Sequence, residues 1–170
     1  MRRVRLLTIT LSLPLSVLIA VLLLITGIGA PAIGSAQETR SSTRLHVKST
    51  ELLQYARDLL TLAKATTTEP LEWEIASRLR DSASSCFEYL EAASDLLFMY
   101  ETMSNQAERS AVKPTINTRL DYSVEMIETD IEGVNLRLGR TIRPGVAETG
   151  TRLREAMREA VALLRSVKLK

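Results

Sequence analysis

The sequence predicts an all-α protein: an antiparallel, up-down four-helix bundle preceded by an N-terminal apolar signal or anchor helix. Three observations carry this expectation. An uncharged apolar stretch occupies the N-terminus, four later segments repeat apolar residues every three or four positions, and no segment sustains the period-two alternation of a strand. The natural division is residues 1–36 as signal peptide or signal anchor and residues 37–170 as the helical bundle domain.

The N-terminus reads as an address. Arg2, Arg3 and Arg5 form a basic n-region, Leu6 to Ile25 is apolar, and Gly27, Gly29 and Pro31 break any helix that follows. Ala30-Pro31-Ala32 and Gly34-Ser35-Ala36 offer small residues at the spacing a signal peptidase requires, so Ala32 and Ala36 mark the candidate cleavage sites. The alternative is an uncleaved anchor through residues 6–30, since about 20 apolar residues suffice to cross a bilayer. Either way the arginines stay cytoplasmic and the body is delivered outside, secreted or periplasmic if cleaved and membrane-anchored if not.

The first bundle helix is expected to start at Ser41, Ser42 or Thr43 as N-cap. It presents Leu45, Ser49, Leu52, Ala56, Leu59 and Ala63, with Leu53 and Leu60 widening the face, and ends at Thr66-Thr67-Thr68. Thr68-Glu69-Pro70 opens the second, through a capping hydroxyl, an early acid and a first-turn proline. Its stripe is Ala76, Leu79, Ala83, Cys86, Leu90, Ala93, Leu97 and Tyr100, and a run to Met103 is about 50 Å long. Ser82, Ser84 and Ser85 are the expected bend. Residues 104–113 read as a connection, with the third helix starting near Pro114 and carrying Ile116, Leu120, Val124, Ile127, Ile131, Val134 and Leu138 to a stop at Gly139. Residues 141–150, with Pro144 and two glycines, read as a loop or a weak half-turn before a fourth helix carrying Leu153, Met157, Ala160, Leu164 and Val167. A dimerising hairpin of the second and third helices is the competing architecture, but four separate stripes need burial.

Chemistry-bearing residues are sparse. Cys86, the single cysteine, sits in the apolar stripe and reads as a small packed hydrophobe. His46 is the single histidine, too few for a zinc or di-iron site, and the haem-attachment motif is missing. Glycine spacings offer no phosphate cradle, and no serine lies in a nucleophile elbow. Glu88, Glu91 and Asp95 are expected on a hydrated face. Asp121, Glu125, Glu128 and Glu132 flank their stripe as a weak cation-site candidate, and Arg140 and Arg143 belong to a loop expected to be a solvated connection, with anion binding as the alternative. Only Ser49 and Ser123 fall at or beside the core as polar groups. Trp73, Tyr89, Tyr100 and Tyr122 read as core-edge packing, and the third stripe or the flank with Trp73 and Ile75 is the expected place for a protein partner. No catalytic, cofactor-binding or metal residues are assigned.

Charge gives no sign of nucleic acid. Of 22 Lys and Arg, three lie in the n-region, leaving 19 against 20 acids in the body, a balance of −1. Within the body, Glu69–Glu108 holds nine acids against two arginines, while Arg137–Lys170 holds nine bases against three acids. The expectation is that these segments neutralise one another across the bundle rather than meet an anionic surface. The functional expectation is an exported, non-enzymatic bundle of the cell envelope or extracytoplasmic space. It would act as a protein-binding or structural module, with a protein partner or self-association through helix faces and no small-molecule ligand. Alternatives are a membrane-anchored, self-associating coiled coil, or an enzyme without a recognisable motif.

Overall fold

A computed structural model describes residues 40–170. The described residues are all-helical, with no strand: α1 is Ser41–Ala65, α2 Pro70–Thr102, α3 Gln106–Leu138 and α4 Pro144–Ser166. They form a helical bundle in which α2 packs on α1 and α3, and α4 packs on α3 and α1. The signal or anchor expectation, with Arg2, Arg3, Arg5, Ala32 and Ala36, lies outside the described residues.

The apolar stripes become the core. Leu45, Leu52, Leu59, Leu79, Leu90, Leu97, Leu120, Ile127, Leu153, Met157 and Leu164 are fully buried. Between them sit Ala56, Ala63, Ala76, Ala83, Ala93 and Ala160, which add little bulk and let the helix backbones close on one another. Tyr100, Ile131 and Leu138 are only half-buried at the edge. Ile75 points into the core, so it does not belong to an outer flank with Trp73.

Four local expectations need correction. The N-cap of α1 is Arg40, without a side-chain cap; Glu101, at the far end of α2, accepts instead from Ser42 N (3.2 Å) and Ser42 Oγ (2.5 Å). An acid from a neighbouring helix thus serves the positive end of α1. Helix α2 runs unbroken through Ser82, Ser84 and Ser85, because Ser82 is packed inward instead of opening the backbone. Helix α3 starts eight residues before Pro114. Asn105 Oδ1 caps it by accepting from Ala107 N and Glu108 N, and Asn105 Nδ2 donates to Glu108 Oε1, a reciprocal cap that outweighs the proline nine residues in. Residues 144–150 are helix, not loop, with Pro144 in the first turn. A Cβ on buried Gly150 would lie 2.7 Å from Leu138 Cδ2 and 3.0 Å from Leu79 Cδ1, so glycine here serves close packing of α4 on its neighbours.

Candidate functional site

The buried polar groups are more numerous than Ser49 and Ser123 alone, and three clusters account for most of them. In the first, Ser49 Oγ meets Glu91 Oε1 and the His46 carbonyl, while His46 Nδ1 lies 2.9 Å from the same Glu91 oxygen. Glu91 is therefore half-buried and engaged with α1, unlike exposed Glu88 and Asp95 on the same helix. Serine, histidine and glutamate meet here without forming a nucleophilic relay. The Ser49 hydroxyl faces a carboxylate and a carbonyl, and no imidazole nitrogen is placed to take its proton.

The second cluster closes the start of α1, where Ser94 Oγ donates to the Ser42 carbonyl (2.9 Å) beside the Glu101 contacts. The third ties α2 to the chain after α3. Glu72 is 3% exposed, and its oxygens accept from Thr141 Oγ1 (2.5 Å) and Ile142 N (2.9 Å). One turn earlier Glu69 pairs with Arg143, whose guanidinium holds the Glu69 carboxyl below the usual carboxylate range. Arg143 is thus an anchored residue, and Arg140 beside it stays exposed.

Each cluster joins a helix to another helix or to the connection after α3, so each is first a fastener. Cys86 is fully buried, and burial pushes its thiol far above the ordinary range, as expected for a packed thiol. Among the described residues no three His, Cys, Asp or Glu side chains gather as a metal site, and no helix is long and apolar enough to cross a membrane.

The charge partition resolves differently from the sequence expectation. Of the bases in 137–170, only Arg143 pairs with an acid of the 69–108 segment. Arg165 of α4 instead meets Glu128 (2.8 Å), and Lys168, just past α4, meets Asp121, so two of the four α3 acids that were the cation-site candidate are paired with bases. The reason is adjacency, because α4 lies beside α3 along its length and touches α2 less. Lys48 is held by Glu51 and Glu159 (both 2.6 Å); burial lowers its pKa, but the two acids outweigh that and the net direction is up.

Aromatic groups divide. Tyr89 and Tyr122 meet edge-to-face at 6.2 Å, and the Arg109 guanidinium sits 5.2 Å from the Tyr100 ring centre. Trp73 is 48% exposed in a groove between α1 and α2 with Leu60, and Tyr122 is 47% exposed, so both are surface residues more than core-edge packing. A second groove, of about 320 Å³, lies between the start of α2 and the end of α3, walled by Leu71 and Leu136. Exposed apolar residues of this size beside cations are suited to holding another molecule, and they make this end of the bundle the candidate site. Sequence reasoning pointed to Trp73 but missed Leu71, Leu136 and Ile142; the available signal was apolar residues falling off the helical stripe. Comparison with family models, curated proteins and solved structures finds no match to this chain.

Proposed function

We propose that this is an exported, non-enzymatic helical bundle of the cell envelope or extracytoplasmic space that works by binding another protein. The observation that carries the reading is the N-terminal order of Arg2, Arg3 and Arg5, an apolar run and the small residues ending at Ala32 and Ala36. The binding half of the reading is supported by the exposed apolar residues at one end of the bundle. The non-enzymatic half is supported by the use of the polar clusters as fasteners between helices. We read the bundle as up-down and antiparallel. Short connections support this, as do the meetings of the α1 start with the α2 end and of the α2 start with the α3 end.

The test is delivery. Residues 1–40 fused to an export reporter should carry it across the membrane, and mass spectrometry of the mature protein should find an N-terminus near Ile33 or Gln37. Full-length protein recovered in the cytoplasm refutes the proposal. Retention of the leader in the membrane fraction selects the anchored form, in which residues 6–30 span the bilayer and the body stays outside.

A further inference from the structure

We propose that the two grooves flanking the first turns of α2 form one docking surface for an acidic peptide segment of a partner protein that carries large apolar side chains. This rests on the protein-binding reading above and assigns it a place and a partner chemistry.

The surface is built on one ridge. Leu71, Glu74 and Arg78 follow one another at helical spacing along α2, and Glu74 and Arg78 line both grooves. On one side the ridge faces Leu136, Arg137 and Arg140 from α3 and its end; on the other it borders Trp73, Leu60 and Lys64. Leu71 is 45% exposed and Leu136 74%. Ile142, the most exposed large apolar residue described at 88%, follows at the same end of α3.

Charge selects the partner. Arg78 and Arg140 make no ion pair among the described residues, Arg137 makes no direct one although it is near enough to pull on the Asp130 carboxyl, and Glu74 is the sole acid lining the α2–α3 groove. In the α1–α2 groove the further acid, Asp81, is already taken by Arg80 at 2.6 Å. Guanidiniums beside leucine walls match carboxylates set among apolar side chains, since the fork of each arginine can hold both oxygens of a carboxylate. Two adjoining grooves along one ridge also favour an elongated occupant over a small molecule, which would fill one and leave the other bare. The surface is held ready as well. Glu72, buried beneath it, holds the backbone N–H of Ile142 and the hydroxyl of Thr141, so the segment displaying Arg140 and Ile142 is pinned before any partner arrives.

The mature protein, as recovered from the producing cell, is panned against a phage-displayed library of random peptides, and selected peptides are titrated onto it. Expected are peptides combining Asp or Glu with Leu, Ile, Phe or Trp. They should bind the wild type at least about tenfold tighter than a Leu136→Ser/Arg140→Glu variant with an unchanged melting temperature, and should weaken as salt rises. Selected peptides that are basic or uncharged overturn the partner chemistry. Peptides that ignore this variant but are lost on Phe98→Ser/Met99→Ser overturn the surface while leaving the protein-binding reading intact. Concentration-dependent doubling in light scattering, abolished by the groove variant, makes the occupant a second copy of the chain and overturns the peptide partner. A selection that yields no binder refutes both this surface and the reading it rests on.

Discussion

Replacing Glu72 probes the fastener beneath that surface. The residue is 3% exposed, and its carboxylate accepts two hydrogen bonds, from Thr141 Oγ1 at 2.5 Å and Ile142 N at 2.9 Å. Bonds to a charged acceptor contribute about 1.5–3 kcal/mol each. Two terms reduce that sum in Glu72→Ala: Ile142 is exposed, so its freed N–H finds water, and removing a buried carboxylate relieves its desolvation. The expected net loss is about 2 kcal/mol. For a unit of about 130 residues, 1 kcal/mol corresponds to about 3–4 °C, so Glu72→Ala should lower Tm by about 7 °C. Glu72→Gln should lose roughly half as much: its carbonyl can still accept from Ile142 N, and the Thr141 hydroxyl can turn to accept from the amide. Calorimetry of the three proteins at neutral pH measures this, and peptide titration measures whether the α2–α3 groove loosens with the loop. An alanine variant melting at or above the wild type would refute the reasoning, because burying the charge would then cost more than its two bonds return.

Three further outcomes are expected. Cys86 in the native protein should resist thiol reagents until denaturant is added, and Cys86→Ala should fold with a loss of roughly 1 kcal/mol; rapid native labelling would contradict the burial. Burial raises the Asp130 carboxyl above its usual range, against the pull of Arg137 and a hydrogen bond from Ser82. A raised native pKa means stability is lost as pH rises through it, so Asp130→Asn should melt above the wild type at pH 7, with the gap closing towards pH 3; a gap that widens in acid would reverse the sign. Pro114 lies inside α3 and leaves the Ser110 carbonyl without its helical donor, so Pro114→Ala should raise stability by roughly 1–2 kcal/mol in a denaturant titration, and a loss would show the proline is favoured by its neighbours.

Helix number and the inward faces were legible in the sequence, because a helix repeats every 3.6 residues and burial of one face writes that period into the residues. Ala76 through Leu97 and Leu45 through Ala63 are buried as their spacing required. The start of α3 was legible too, in Asn105 and Glu108, but a proline near a helix start is the stronger local signal and pointed eight residues too late. Tertiary structure alone decided three things. Gly150 sits inside α4 although glycine is a poor helix former, because Leu79 and Leu138 crowd the place where a Cβ would stand and favour a residue without one. Glu91 and Glu72 turn inward because their partners, Ser49 and Thr141, are 42 and 69 residues away in sequence, beyond any local pattern. Arg165 and Lys168 meet acids of α3 instead of those of α2, since charge pairs only with what packing sets beside it: composition counted the charges, and helix adjacency chose which of them touch.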